Sequence, residues 1–166
     1  MGKIYLTEIN TRMERDVYEM FQDIPKFETG SYNACFGLNY EEYKEYLKKE
    51  IKRKKVEVSK YDAPTISYII YDDNYPIGLV GIRTKIDDYW IKLSGNFYYK
   101  IRVSKRNMGY GSKALKLALE KMKELGIDEG YGHAAISNIP SIKIIEKCGG
   151  TLYKTENGIN YYKIKI

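Results

Sequence analysis

The chain is poor in the residues that build disulfide frameworks and metal sites. Its 166 residues include only two cysteines, Cys35 and Cys148, and a single histidine, His133. Two cysteines so far apart in sequence do not form a disulfide scaffold, and we expect both to stay reduced. Because one histidine with two cysteines gives no ligand pattern for zinc, the sequence predicts no metal site.

Long apolar runs are also missing. No stretch is apolar over the roughly 20 residues that a transmembrane helix needs, and the first residues alternate with charged side chains, unlike a signal peptide. Repeats, low-complexity tracts and linkers are absent too. We therefore expect one soluble domain over residues 1–166, with a cytoplasmic location and no membrane partner.

Basic residues outnumber acidic ones, 28 to 22, which gives a formal net charge of +6, and tyrosine is abundant. Basic surfaces and stacked aromatic rings both bind nucleic acids. The clearest basic cluster, residues 52–55, has another explanation, since it falls at the last turn of a helix that Asn39 and Glu42 cap at its start. Most tyrosines lie at positions that serve the core. We therefore do not expect nucleic acid as the partner.

Hydrophobic periodicity predicts alternating strands and helices. In order, the predicted elements are a strand at 3–9, a helix at 14–24, a loop at 25–38, a helix at 40–51, a hairpin with strands at 65–71 and 77–84, an insertion at 87–94, a strand at 97–103, a helix at 112–125, a strand at 128–136, a short helix from Pro140, and a final hairpin with strands at 151–154 and 160–166. The pattern indicates an α/β (α+β) fold with a β-α-β unit in its second half.

A phosphate-binding turn is predicted at residues 106–111, between the strand at 97–103 and the helix after it. Glycine at positions 109 and 111 lets a bound group approach the backbone, and the first N–H groups of the helix point at that group with the positive end of the helix dipole. Arg106 adds side-chain charge, which favours a pyrophosphate over a single carboxylate. For these six residues alone, an ordinary strand-to-helix turn is the alternative.

At two motifs the chain resembles the GNAT N-acetyltransferase superfamily. The superfamily's nucleotide-binding turn has the form Arg/Gln-x-x-Gly-x-Gly/Ala, which residues 106–111 match, and Asn138 with Ser141 and the Glu146–Gly150 ending is similar to its Asn-x-x-Ser/Ala helix. Phe36-Gly37 and Ile82-Arg83 look like a branch of predicted bacterial acetyltransferases of unsettled substrate. The resemblance is strong from residue 64 to the end.

This resemblance implies a mixed central β-sheet of about six to seven strands, flanked by helices and split into a V at the acetyl-CoA site. Acetyl-CoA is then a co-substrate, with its pyrophosphate on the turn and its pantetheine arm along the strand at 97–103, and no metal is required. The residues expected to bind it are Ile101, Arg102, Val103, Arg106, Asn107, Met108, Gly109, Tyr110, Gly111, Ser112, Asn138 and Ser141.

The resemblance also implies direct transfer to a neutral amine through proximity and stabilisation of a developing oxyanion, with no acyl-enzyme. Many relatives place a tyrosine seven residues after the motif asparagine as general acid, and this chain has Ile145 there. Substitutes to consider are Ser141, Cys148, His133 or a tyrosine from elsewhere, although a packing role is favoured for Cys148 and a strand histidine satisfied by a neighbour is favoured for His133. No general base is evident.

Acceptor-binding residues are predicted in the loop at 25–38 and the insertion at 87–94. The length of the loop, its Gly30 and its aromatic residues suggest a mobile lip over the acceptor. The candidates are Glu28, Phe36, Asp87 and Trp90. The acidic Glu28 and Asp87, with Asp88, would attract a cationic amine, and the aromatic Phe36 and Trp90 would line the acceptor site. For Trp90, a dimer contact and a core anchor are the alternatives.

Together these observations predict an N-acetyltransferase that moves the acetyl group of acetyl-CoA to a small-molecule or peptide amine, and a homodimer is compatible with this function. Two alternatives stay open. One is a catalytically weak or inactive acyl-CoA-binding module, suggested by Ile145, and the other is an RNA-binding accessory domain that uses the basic surface.

Overall fold

Two β-sheets that meet at one end form the centre of the structure. The computed structural model describes residues 1–29 and 31–166, so Gly30 of the predicted lip lies outside the described residues. In chain order its elements are β1 (Ile4–Glu8), α1 (Arg15–Gln22), β2 (Phe27–Glu28), β3 (Ser31–Tyr32), α2 (Tyr40–Lys52), β4 (Thr65–Asp72), β5 (Tyr75–Arg83), α3 (Asp88–Leu93), β6 (Phe97–Ile101), α4 (Tyr110–Glu124), β7 (Glu129–Ala135), α5 (Ile139–Lys147), β8 (Thr151–Glu156) and β9 (Ile159–Lys165).

The larger sheet has the strand order β1-β4-β5-β6, and the smaller one has the order β7-β9-β8. Neighbouring strands in both sheets pair in antiparallel fashion. A short hairpin of β2 and β3 forms a separate pair. Strand β5 is buried along almost its whole length, because helices cover both faces of the larger sheet.

Each face of the larger sheet carries its own hydrophobic core. The core beneath α4 also takes in the smaller sheet, and its buried residues include Ile70, Val80, Leu115, Met122 and Tyr162. The core beneath α1 and α2 includes Val17, Phe21, Tyr43, Leu47 and Ile69. Because side chains alternate along a strand, Ile69 and Ile70 of β4 fall in different cores.

The two sheets meet at the first residues of β6 and β7. Just before β6, Asn96 donates its backbone N–H to Tyr131 O at 2.9 Å, and its side chain bonds Tyr131 N at 2.8 Å and Glu129 O at 2.9 Å. A Cβ at Gly132 would lie 2.5 Å from the Phe97 ring, so glycine permits this close approach. The two strands belong to different sheets, and beyond this junction a gap separates them.

The predicted fold class is confirmed, with helices on both faces of a central sheet that splits into two parts. Four local differences concern boundaries. The strand predicted to Val103 ends at Ile101, because a 3-10 turn occupies Val103–Lys105, and the helix predicted from Ser112 begins at Tyr110. The loop at 25–38 contains β2 and β3, and the insertion at 87–94 contains α3.

Replacing the buried Asn96 by alanine should destabilise the fold by about 2–4 kcal/mol, because the partly buried Tyr131 N–H and Glu129 carbonyl would each lose a partner. Urea denaturation followed by circular dichroism measures the change. Asn74→Ala is the matched control, since Asn74 is exposed in the turn between β4 and β5. Equal losses in the two variants would contradict a special role for Asn96.

Candidate functional site

Two cavities open into the gap between β6 and β7. The turn cavity, of about 510 Å³, lies at the start of α4. The arginine cavity, of about 760 Å³, lies towards α2 and α3 and is named for Arg53 and Arg83, which line it. The residues that line both cavities include Tyr99, Lys100, Asn138 and Ser141. The gap therefore joins the two cavities.

The start of α4 has the geometry of an anion-binding turn. Gly109 is the N-cap residue with φ +81°, a left-handed conformation that glycine adopts without strain, and no side chain caps the helix there. A Cβ at Gly111 would lie 2.7 Å from Ile144 Cδ1, so a larger residue would press on α5. Both glycines line the turn cavity. The first N–H groups of α4 are thus available to a ligand.

The Arg106 side chain lies at this turn but is already paired. Its Nη2 donates to Glu28 Oε2 at 2.6 Å, its Nη1 donates to the other oxygen of that carboxylate, and its Nε donates to Ile101 O at 3.0 Å. Glu28, which the sequence analysis assigned to the acceptor, therefore lies on the turn side of the gap. Sequence reasoning missed this pair because 78 residues separate its members.

The other predicted turn residues divide into two groups. Those that line the turn cavity are Ile101, Asn107, Tyr110, Ser112, Asn138 and Ser141. Arg102, Val103 and Met108 are not among its lining residues. Arg102, just past the end of β6, instead bonds Asp23 Oδ2 at 2.7 Å. Val103 and Met108 are exposed.

Helix α5 carries the second predicted motif. Asn138 caps it by accepting a hydrogen bond from Ser141 N at 3.3 Å. Ile145, where many relatives have tyrosine, is 2% exposed and lines the arginine cavity. Cys148 contacts Ser112 O through Sγ at 3.9 Å, and burial raises the pKa of its thiol. A raised thiol pKa favours a packing role for Cys148 over a catalytic one.

His133 lines the arginine cavity on β7. Its Nδ1 is buried and has no hydrogen-bond partner among the described residues. Burial lowers the pKa of the imidazole, and the nearby charge of Arg83 lowers it further. His133 is therefore a neutral ring at physiological pH.

Two functional candidates on β6 escaped the sequence analysis. The Tyr99 hydroxyl is buried without a hydrogen-bond partner among the described residues, and burial raises its pKa. Lys100 donates its Nζ to Tyr32 O, and burial lowers the pKa of its ammonium to about 8. Both residues line both cavities. The only signal was their place on the strand before the turn, at the edge of the larger sheet.

The remaining acceptor candidates lie outside both cavities. Asp87 caps α3 by accepting from Trp90 N at 3.1 Å, and Asp88 is exposed. Trp90 is 7% exposed, its Nε1 donates to Ser59 O at 2.7 Å, and it serves as the core anchor of the insertion. Phe36 is exposed and lines neither cavity among the described residues. The predicted acidic attraction is therefore not found at the arginine cavity.

Comparison with known proteins identifies the class. A family model described as "Acetyltransferase (GNAT) domain" matches residues 5–151, so the chain belongs to the GNAT acetyltransferase family. The enzyme class predicted from the turn and the helix motif is thereby confirmed. A search of curated protein sequences found no significant match.

Solved structures of N-acetyltransferases share the fold. Campylobacter jejuni PseH in complex with acetyl coenzyme A is 16% identical, with a TM-score of 0.64 over 98% of this chain and 99% of that chain. RimL, a ribosomal L7/L12 alpha-N-protein acetyltransferase solved with coenzyme A, is 14% identical, with a TM-score of 0.72 over 100% and 96%. The Vibrio cholerae spermidine/spermine N-acetyltransferase SpeG is 18% identical, with a TM-score of 0.64 over 98% and 95%.

Within the described ranges, 1–29 and 31–166, no helix is both long and apolar enough to span a membrane. The same residues contain no group of three or more histidine, cysteine, aspartate or glutamate side chains arranged to hold a metal ion.

The lowered pKa of Lys100 should appear in the pH dependence of stability. The unfolded chain binds this proton up to the ordinary pKa of 10.5, whereas the folded chain releases it at about 8. The free energy of unfolding should therefore rise between these pH values, by up to about 3 kcal/mol from this group. Chemical denaturation of the wild type and Lys100→Met across this range isolates the contribution. A constant difference between the two proteins would contradict the shift.

Proposed function

We propose that this enzyme transfers the acetyl group of acetyl-CoA to the amino group of a small molecule or peptide, with both substrates bound at once. The observation that carries the proposal is the pair of cavities joined at the gap between β6 and β7. One cavity has an anion-binding helix start, and the other offers a separate approach to the same gap. Such an arrangement lets two substrates meet without an acyl-enzyme.

The residues of the turn cavity fit a nucleotide pyrophosphate. Backbone N–H groups from Gly109 to Ser112 would bind its oxygens, supported by the helix dipole and by Lys105, which also lines the cavity. The Arg106–Glu28 pair is partly exposed, at 31% and 39% of the two side chains, so a phosphate can compete for Arg106 at little cost.

Strand β6 would hold the extended arm of the co-substrate. It is the last strand of the larger sheet, so its outer edge has no strand partner among the described residues. An arm with amide groups can bond such an edge as an added strand would. When bound, acetyl-CoA supplies an acetyl thioester, which is an activated acyl donor with a good leaving group.

Tyr99 and Lys100 are proposed to move protons at the gap. Adjacent residues of a strand point to opposite faces, so these two side chains approach the gap from different sides. The Tyr99 hydroxyl has no hydrogen-bond partner among the described residues, so it can donate to the leaving sulfur. Lys100, neutral above about pH 8, can accept a proton from the acceptor ammonium. Tyr99 would then take the place left by Ile145.

One alternative retains support from a specific observation. Ile145 is buried at the position where many relatives carry the tyrosine that acts as general acid. Its presence fits a binding module that holds acyl-CoA and transfers the acyl group slowly. The RNA-binding alternative gains no such support. Two residues of its basic cluster are ion-paired, Arg53 with Asp62 and Lys54 with Glu8.

Isothermal titration calorimetry with acetyl-CoA should show micromolar binding to the wild type and its loss in Gly109→Glu. The substitution places a negative side chain in the turn cavity, where the pyrophosphate is proposed to bind. Gly126→Glu is a matched control, since Gly126 lies just past the other end of α4 with a similar φ of +73° and open space around it. Binding that survives in Gly109→Glu, or fails equally in both variants, would contradict the proposed nucleotide site.

Tyr99→Phe should lower kcat by about a hundredfold while leaving the Kd for acetyl-CoA unchanged, because the ring stays and only the proton donor is lost. Release of free thiol, measured with the best amine from an acceptor screen, gives kcat across the pH range. Tyr153→Phe, on exposed β8, is the control. An unchanged kcat with a normal pH profile would exclude Tyr99 as the donor and favour solvent in that role.

A further inference from the structure

The acidic and basic groups of the arginine cavity are unequally paired. Arg53 donates to both carboxylate oxygens of Asp62, at 2.8 and 3.2 Å, and also contacts Glu50. Glu50 in turn accepts from Ser67 Oγ at 2.9 Å. These charges satisfy one another within the protein. No free carboxylate lines this cavity in the part of the chain that the structure describes.

Arg83, in contrast to Arg53, has no carboxylate bonded to it among the described residues. It is only 9% exposed, yet it forms no ion pair with any carboxylate of the described residues. Its Nη1 donates to Gly95 O at 3.0 Å, and its Nε is buried without a partner among these residues. Burial of a charged group without a counter-ion costs free energy, and a ligand of opposite charge recovers it.

Two aromatic rings hold the Arg83 guanidinium in place. Its Cζ lies 4.9 Å from the centroid of the Trp90 ring and 5.2 Å from that of Tyr98. These contacts restrict the side chain, so less conformational entropy is lost when it binds a ligand. A planar guanidinium fixed in this way is suited to a carboxylate or a phosphate.

The other side of the cavity adds nitrogen groups and no acid. His133 contributes a buried Nδ1 without a partner among the described residues, and Lys100 contributes an amine. Beside the Arg53, Glu50 and Asp62 network, the lining thus combines Arg83, which is in no direct ion pair among the described residues and feels Asp62 only at longer range, with two further nitrogen side chains. This is the reverse of the acidic lining that a polyamine would require.

We propose that Arg83 binds an acidic group of the acceptor, so that the acceptor is an amine that also carries a carboxylate or a phosphate. This inference rests on the proposed function. Arg83 would then select the substrate by its acidic group.

Matched probe pairs test this proposal without knowledge of the natural acceptor. Glycylglycine is compared with glycylglycine amide, phosphoethanolamine with ethanolamine, and spermidine serves as the polycation. Calorimetry without acetyl-CoA measures Kd for each probe at concentrations up to tens of millimolar. The acidic member of at least one pair should bind about ten- to a hundredfold more tightly, and the two pairs distinguish a carboxylate from a phosphate.

Arg83→Gln should reduce that preference to near unity and leave the Kd for acetyl-CoA unchanged. Arg83→Lys keeps the charge and should retain part of the preference. In the wild type, acidic probes should also shift the NMR resonance of the Arg83 Nε–H group, a measurement that requires no variant to fold. Melting temperatures identify a variant that has lost its structure.

Three results would overturn the proposal: equal or tighter binding of the neutral or cationic probes by the wild type, a preference that persists in a folded Arg83→Gln, or no binding of any acidic probe. Failure of the proposed function is separate from these results. It would appear as loss of acetyl-CoA binding by the wild type, while the probe preference could still be measured.

Discussion

The contact between Asn96 and β7 is the constraint on which the site depends. One asparagine joins the two sheets through its backbone N–H and both ends of its amide, and only at the first residues of β6 and β7. Had the two strands paired along their length, the backbone edge of β6 would be occupied and the two cavities would not communicate. The core beneath α4 packs against both sheets, so it holds them together while the hydrogen bonds of Asn96 fix the closed end of the gap.

The two sides of the gap differ in how their charged groups are paired. At the turn, the groups available to an anion are the backbone N–H groups and the dipole of α4, and the arginine there is neutralised by Glu28 across a partly exposed pair. In the arginine cavity, a buried guanidinium lies between two aromatic rings with no carboxylate paired to it in the described part of the chain. Backbone N–H groups suit the phosphates of a ligand that many different proteins bind. A fixed side chain instead suits discrimination among acceptors.

Local signals were sufficient to predict the turn and the order of elements. Gly109 and Gly111 stand between a β-branched, aromatic run and a helical one, and both the strand and the helix form as expected. What could not be predicted depends on long-range packing. Arg106 meets Glu28 across 78 residues, and Trp90, which lines neither cavity among the described residues, packs against Arg83, which lines the arginine cavity. Tyr99 and Lys100 become candidates only because the gap buries them, and burial is not visible in a tyrosine-rich sequence.

The β2–β3 hairpin contacts both sides of the gap. Glu28 on β2 holds Arg106 at the turn, and the Tyr32 carbonyl on β3 accepts from Lys100 beside the arginine cavity. A phosphate that takes Arg106 from Glu28 would release one contact of the hairpin, while the lysine contact and the hydrogen bonds from Asn33 to Phe21 O and Ile24 O remain. Where binding at the turn changes the contact of the hairpin with Lys100, thermodynamic linkage requires that each ligand alter the affinity for the other by the same factor. This short hairpin therefore offers a route by which the turn and the arginine cavity can be coupled.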